Sequence, residues 1–386
     1  MNKIGGKQPQ LFVLLQRMKR IAILGAGAAG LFAAAQLSKH SDLSVVVFEK
    51  SKNIAAKLRA SGGGRANILN EHIGPECYNH PEFMSDFLRQ TDFQTLYSEF
   101  ENMGLMMRSD EEHRVYPATF FSTTVVDVLL KNLSKNVQII TDYEVKSLTR
   151  EKQQWQINDF PTLFDQVLLM VGSPAGIARQ SQNFAAFLNP LDIHFHPFKP
   201  SLVGFKLIQY PKYLYGCRAK AEVSLYQQNR IVFQERGEVT FKEEGISGIV
   251  VMNASAHYNR LKNPANCTLS LNFLYDEDLD ISDYLRKYQD FSGILHSKLC
   301  KLYAQSPFDP RALQWRIEGT YDLPSAQVAH GGIDVGEVDE FLQLKRYPHL
   351  YVGGELLDID GVCGGYNLFF AFASAYWIVK NLFRED

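Results

Sequence analysis

The sequence is poor in cysteine, in net charge and in long apolar runs. Its 386 residues include five cysteines, Cys77, Cys217, Cys267, Cys300 and Cys363. They are odd in number and far apart, and none forms a C-x-x-C pair. This excludes a disulfide framework, a zinc knuckle and dithiol exchange, and it points to a reducing, cytoplasmic compartment. Net charge is −2 and the basic residues are scattered. No long-range field recruits nucleic acid or an anionic membrane, so neither is an expected partner. Lys212 and Arg218, set among aromatics between Tyr210 and Arg218, make only a feeble basic patch. No apolar run approaches the ~20 residues that span a bilayer. Leu11 to Leu15 is too short for a signal peptide, and no small-residue cleavage site follows it. Met18-Lys-Arg20 directly precedes the first predicted strand. Residues 1–17 therefore read as a disordered extension, with Met18 as an alternative start.

What remains is an ordinary globular composition, 46% hydrophobic and 21% charged, long enough for two or three domains. Ile21 to Leu24 is a short apolar run closed by glycine, the pattern of a buried parallel strand. Ala28 to Ser38 reads as a helix and Leu43 to Phe48 as a second strand ending at Glu49. Residues 51–75 read as loop and 81–103 as helical. Strands are predicted at Val137 to Ile140, Val145 to Leu148, Trp155 to Ile157 and Gln166 to Val171. Beyond residue 194 the segments 201–208, 221–225, 230–234 and 238–241 alternate like antiparallel strands. Ser282 to Ala304 reads as helical, with Ser282 as a candidate N-cap. Gln343 to Val352 reads as a strand, and Leu368 to Phe383 as a C-terminal helix.

Strand, glycine turn, helix, strand and acid is the order a dinucleotide site requires. In Gly25-Ala-Gly27-Ala28-Ala29-Gly30, Gly25 permits the tight turn. Gly27 lets the backbone approach a pyrophosphate, and Gly30 lets the helix pack close to the strand. The helix N-terminus offers free N–H groups and partial positive charge to phosphates. Glu49 is placed to accept hydrogen bonds from both ribose hydroxyls and disfavours a 2′-phosphate. Lys50 and Val145 join the expected adenosine side.

Two further clusters separate FAD from NAD. The first runs from Lys57 through Ser61-Gly62-Gly63-Gly64-Arg65-Ala66-Asn67, a nest of exposed N–H groups flanked by positive charge. The second runs from Gly354-Glu355 through Asp358, Asp360 and Cys363-Gly364-Gly365-Tyr366-Asn367-Leu368, where a strand ends and a helix begins. A helix N-terminus there would stabilise charge developing on a reduced flavin. Gly172 closes the strand at 166–171.

Together these clusters resemble the BaiN/YhiN-like flavoproteins, also grouped as the aminoacetone-oxidase family. Arg114-Val-Tyr-Pro117, His196-Pro-x-x-Pro200-x-Leu202-Val203, Gly245-Ile-Ser-Gly248 and His330-Gly331-Gly332 are similar to further family segments. The resemblance runs from about residue 19 to 384. It implies an α/β fold with a three-layer, parallel-sheet, Rossmann-type FAD-binding domain split in sequence over 19–192 and 328–386. It also implies an inserted antiparallel β-barrel-like domain over 193–327, with a small helical subdomain at 275–320. The chain departs from the family at Met170-Val-Gly172-Ser-Pro-Ala-Gly176, in place of an Ala-Thr-Gly-Gly turn and longer loop. It departs again at Ala66 for Cys, at Cys363 for Thr, and at His330 in a Thr-Gly-Gly segment.

No hydrolytic triad is legible. His194 and His196 share one face of a predicted strand, but no third ligand is evident, and no metal site is expected. Cys363 and Tyr366 are the candidate catalytic residues, although a small side chain in a tight turn explains Cys363 as well. The resulting expectation is an FAD-dependent oxidoreductase whose small-molecule substrate binds between the two domains. NAD(P)H is the expected transient donor for an enone-like substrate. An O₂-using amine oxidase of aminoacetone type, a flavin-binding protein that modifies nucleic acid or a partner, and a non-catalytic FAD-binding fold are the alternatives.

Overall fold

The computed structural model describes residues 18–176 and 184–384. The expected extension over 1–17 lies outside the described residues. The first half runs β1 (Lys19–Leu24), α1 (Ala28–Leu37), β2 (Leu43–Phe48), α2 (Ala56–Ala60), β3 (Leu69–Asn70), α3 (Pro81–Leu88), α4 (Phe93–Asn102), β4 (Met107–Ser109), β5 (Arg114–Pro117), α5 (Ser122–Lys131), β6 (Val137–Ile140), β7 (Leu148–Glu151), β8 (Gln154–Ile157) and β9 (Gln166–Leu169). The second half runs β10 (Phe195–Ser201), β11 (Phe205–Leu207), β12 (Arg218–Gln227), β13 (Arg230–Phe241), β14 (Gly245–Ser247), α6 (Ile249–Arg260), β15 (Cys267–Asn272), α7 (Ile281–Tyr288), α8 (Ser297–Gln305), β16 (Leu313–Thr320), β17 (Val328–Ile333), β18 (Leu350–Val352) and α9 (Tyr366–Asn381).

Five strands form a parallel sheet in the order β18-β9-β1-β2-β6. Successive strands spread to both sides of β1, so the crevice beyond its C-terminal end is the topological switch point at which such sheets bind ligands. Ile21 to Leu24 is at most 1% exposed, as expected of a strand covered on both faces. The alanine-rich α1 packs between the sheet and α9. Phe32 on α1, Phe100 on α4 and Phe372 on α9 lock the three helices, with ring centroids 4.9 to 5.4 Å apart.

The remaining large element is a closed antiparallel barrel, β11-β14-β13-β12-β15-β16. It has its own core, which includes Phe205, Val223, Phe241, Leu269 and Ile317. A two-stranded ladder of β10 and β17 carries the chain into the barrel and back.

Several expected elements differ in extent. The 282–304 helix is two helices, α7 and α8. Gln289 closes α7 in the left-handed region, at φ 64°. Its N-cap is Asp280, whose carboxylate accepts from Asp283 N–H at 2.9 Å, not Ser282. The helical stretch expected over 275–320 runs too far, because β16 belongs to the barrel. Residues 81–103 are helical, as α3 and α4, and part of the 51–75 loop is α2. The expected strand at 343–352 shrinks to β18. The strand expected at 145–148 begins only at Leu148.

Candidate functional site

The turn after β1 shows three different environments for its three glycines. A Cβ on Gly25, which sits at φ 105°, would lie 2.4 Å from the Met170 carbonyl oxygen. A Cβ on Gly30 would lie 1.9 Å from the Gly25 carbonyl oxygen. Those two are demanded by packing. A Cβ on Gly27 meets nothing within 4 Å, so this face of the turn is open. No side chain caps α1, leaving the first-turn N–H groups of Ala28 and Ala29 to an external anion.

Glu49 reaches back to this turn. Its Oε2 accepts from Ala26 N–H and its Oε1 from Ser51 N–H, each at 2.9 Å. A carboxylate has lone pairs beyond these two bonds, which suits ribose hydroxyls. Tyr143 N–H donates to the Glu49 carbonyl at 2.9 Å, which runs the segment leading to Val145 alongside this end of the site. Lys50 turns elsewhere, with its Nζ 5.1 Å from the centre of the Phe184 ring.

Three distant segments close around the same turn. Ala55 N–H donates to the Ala26 carbonyl at 2.9 Å and anchors the start of α2. Lys57 on α2 places its Nζ 2.5 Å from Glu355 Oε2 and 3.3 Å from Ser173 Oγ. Glu355 Oε1 accepts from Ala329 N–H at 2.9 Å. A Cβ on Gly354 would lie 3.3 Å from the Ala29 Cβ, so this loop rests on the first turn of α1. Gly172, in the segment after β9, has φ 69° with open space where a side chain would be. Gly62, Gly63 and Gly64 are all left-handed, and Arg65 beside them is exposed.

The second glycine cluster begins α9. Gly365, at φ 100°, precedes this helix, which no side chain caps. Asn67, with its amide oriented to suit its neighbours, donates to the Leu69 carbonyl at 3.0 Å and accepts from Gly365 N–H at 3.2 Å. Asn70 Nδ2 donates to the Gly364 carbonyl at 2.8 Å. Asn367 closes its own loop, accepting from Gly361 N–H and donating to the Gly361 carbonyl, both at 2.9 Å. Leu368 is half-buried. Tyr78 Oη donates to the Tyr366 carbonyl at 2.9 Å, and burial pushes the Tyr366 phenol up, so it stays protonated.

Asp358 and Asp360 turn into the protein. Asp358 Oδ1 accepts from Gly331 N–H and Asn79 Nδ2, both at 3.0 Å. Asp360, fully buried, meets Arg260 Nη2 and Ser201 Oγ at 2.8 Å and His330 Nδ1 at 2.9 Å. These contacts tie α6, β10 and β17 to the loop before α9. Burial alone would raise the Asp360 carboxyl. The hydrogen bond from His330 and the Arg260 charge outweigh it and hold the group below the usual carboxylate range.

Sequence reasoning missed Glu235. It lies on β13 of the barrel, 2.9 Å from Nδ2 of the buried Asn253 on α6. The Asn253 Oδ1 in turn accepts from Cys363 N–H at 2.8 Å. Burial raises the Glu235 carboxyl above its ordinary value, although the Asn253 hydrogen bond opposes this. Its charge acts on both Cys363 and Tyr366. The Cys363 thiol is itself pushed up to about 12 by burial and by Glu235, so it is a thiol rather than a thiolate at neutral pH.

The residues present fit a flavin dinucleotide. The open face of Gly27, the uncapped N-terminus of α1 and the spare lone pairs of Glu49 have the chemistry that a pyrophosphate and a ribose require.

The chain is similar to several known proteins. The chain is 29% identical to the 3-dehydro-bile acid delta(4,6)-reductase of Clostridium scindens, over 93% of this chain and 98% of that one. It is 24% identical to the ribosomal RNA dihydrouridine synthase of Escherichia coli, over 93% of this chain and 97% of that one. Among solved structures, p-nitrophenol 4-monooxygenase PnpA from Pseudomonas putida aligns at 12% identity and a TM-score of 0.38, covering 95% of this chain and 80% of that one. The family model of the HI0933-like protein Rossmann domain matches residues 19–381, and the chain belongs to that family.

Proposed function

We propose that this protein is an FAD-dependent oxidoreductase that reduces a carbon–carbon double bond conjugated to a carbonyl, with NAD(P)H as transient electron donor. The observation that carries the reading is the convergence of residues 49–57, 170–173 and 353–355 on the open turn 25–30 at the switch point. Both curated relatives support the substrate class. A 3-dehydro-bile acid with delta(4,6) unsaturation and a uracil ring each present such a double bond, and the bile-acid reductase and the dihydrouridine synthase each saturate one.

When bound, FAD supplies the hydride chemistry. The chain would hold the pyrophosphate at Gly27, Ala28 and Ala29, the ribose at Glu49, and the flavin half between Lys57, the Gly62–Gly64 loop and the start of α9. Lys57 and Glu355 position each other at this point. The substrate would enter from the barrel side, where Glu235, Asn253, Cys363 and Tyr366 meet, because pockets favour domain interfaces. Glu235 holds its proton to higher pH than a free carboxyl and is the group placed to donate one.

The test is anaerobic stopped-flow on the FAD-loaded protein. Rapid bleaching by NADH or NADPH, followed by reoxidation with a conjugated enone, supports the reading. Reduction by an amine and reoxidation only by O₂ would replace it with an amine oxidase. Dihydrouridine formed in ribosomal RNA, with small enones inert, would make RNA the substrate.

A further inference from the structure

β10 and β17 form a two-stranded sheet among the described residues, and they carry the chain into and out of the barrel. They pair antiparallel, with His196 opposite Gly332, and Asp334 N–H donates to the His194 carbonyl at 3.0 Å. This ladder fixes the backbone at His196, within β10, and at His194 and Asp334, which directly flank β10 and β17.

Their side chains converge. His196 Nε2 lies 2.8 Å from Asp334 Oδ2, and His194 Nδ1 lies 3.9 Å from the same oxygen. One ligand atom from each residue falls within 4.8 Å of the others. The carboxylate is aimed. Gly336 N–H donates to its Oδ1 at 2.7 Å, which turns Oδ2 toward the two imidazoles. An outer hydrogen bond of this kind orients a ligand in metal sites. Nearby Glu337 is engaged by His194 N–H at 3.2 Å and Arg346 at 3.3 Å, so its charge is already met.

A second cluster of the same residue types, His330, Asp358 and Asp360, has the opposite character. It is buried, and Arg260, Ser201 and Gly331 N–H already occupy its carboxylates. A cation there would have to displace a guanidinium. At His194, His196 and Asp334, one side opens to water: the side chains are 66%, 40% and 28% exposed.

We infer that His194, His196 and Asp334 bind a divalent transition-metal ion of the zinc class, which clips together the strands entering and leaving the barrel. Two imidazoles and one carboxylate form a borderline donor set that suits zinc and leaves a fourth position for water. Zinc–ligand bonds of ~2.0–2.2 Å require only small rotations of the two imidazoles about Asp334. Asp334 is the third ligand that strand periodicity could not supply, because it lies 138 residues from His196.

The test uses the full chain, stripped with a chelator and titrated with ZnCl₂ by calorimetry, beside His196→Ala and Asp334→Asn. One zinc per chain is expected for the wild type, together with a raised Tm. Each variant should bind more weakly by over ~100-fold, beyond the ~10–100-fold that loss of an outer partner costs. Co²⁺ should give ligand-field bands without a thiolate charge-transfer band, which separates this site from adventitious cysteine binding. Equal zinc affinity in wild type and variants, or a thiolate band, or no binding by the wild type, overturns the inference. If His196→Ala or Asp334→Asn does not fold, His194→Gln at the most exposed ligand gives the same reading, since a structural role there would leave zinc affinity unchanged.

Discussion

Lys57 Nζ and Glu355 Oε2 meet at 2.5 Å across 298 residues of chain. Lys57 belongs to the segment that follows β2, and Glu355 to the loop between β18 and α9. The pair ties the first and last parts of the parallel-sheet domain at the open glycine turn. Through Glu355 Oε1 and Ala329 N–H it also reaches β17, the strand returning from the barrel. Lys57→Met should leave the fold intact, because the pair is partly exposed and such pairs contribute about 0–1 kcal/mol to stability. It should weaken FAD uptake about tenfold, equivalent to ~1.4 kcal/mol. Fluorescence titration of the apoprotein with FAD measures this. Unchanged affinity would confine the pair to a structural role.

The three glycines of the turn should separate under substitution. Gly27→Ala adds a methyl group where nothing lies within 4 Å. The protein should fold with its Tm nearly unchanged, yet take up FAD poorly, since the methyl group occupies the approach of the pyrophosphate. Gly30→Ala sets a Cβ 1.9 Å from a backbone oxygen. Overpacking of this kind costs about 1–3 kcal/mol or more, so Tm should fall before any binding is tested. Thermal unfolding and flavin absorbance on the two variants distinguish the roles. Equal behaviour of the two would contradict the assignment.

Local order was legible in the sequence, and long-range partnership was not. The β1–α1–β2 unit, the β6 strand and the C-terminal helix follow from apolar runs and glycine punctuation, which are local signals. The packing demands on Gly25 and Gly30 also follow, because a turn constrains its own residues. Asp358 and Glu355 look alike in sequence, as acids in one glycine-rich loop. Their roles diverge only because Asn79 and Gly331 meet the first and Lys57 the second. Glu235 carries no motif at all. Two-residue alternation along β13 puts it on the face of Phe233 and Gly237, but only α6 packing on that face brings Asn253 and Cys363 to it. The α7–α8 break was hidden because Gln289, a good helix former, adopts a left-handed conformation that composition does not announce.

The buried Asp360 cluster predicts an acid-sensitive seam. Asp358 and Asp360 are both held below the ordinary value of 3.8 in the folded protein, by their hydrogen bonds and by neighbouring histidine and arginine charge that outweigh burial. A depressed folded-state value means these groups stabilise the fold above the unfolded pKa. That contribution is lost as pH falls below about 4. Tm should therefore drop steeply in this window. Arg260→Ala leaves Asp360 buried without its guanidinium, and breaking a buried pair costs about 3–5 kcal/mol. Calorimetry between pH 3 and 7 checks both effects. A variant as stable as the wild type at pH 7 would show that the pair carries no weight.

Cys363 should prove dispensable. Its thiol is pushed up to about 12, whereas nucleophilic or redox-active cysteines have depressed values. Its backbone N–H, which bonds Asn253, survives any substitution. Cys363→Thr should retain the flavin spectrum, the turnover and the Tm. Loss of turnover with normal FAD content would restore a chemical role for the thiol.

Glu235 is the barrel residue proposed to supply the proton. Its carboxyl is raised by burial, so it stays protonated to higher pH than a free glutamic acid. A proton donor works in its protonated form, so substrate reduction should decline as pH rises through the raised value. Glu235→Gln keeps the hydrogen-bonding shape toward Asn253 but has no acidic proton. It should bind FAD normally and be reduced by NAD(P)H at the wild-type rate. Reoxidation by a conjugated enone should slow by about 10²–10⁴-fold, the usual contribution of general acid catalysis. The alkaline limb of that step should also disappear. Separate stopped-flow measurement of the two half-reactions isolates the effect. If Glu235→Gln slows flavin reduction and leaves enone reduction untouched, the carboxyl faces the donor rather than the substrate, and the substrate cannot lie between β13 and the start of α9.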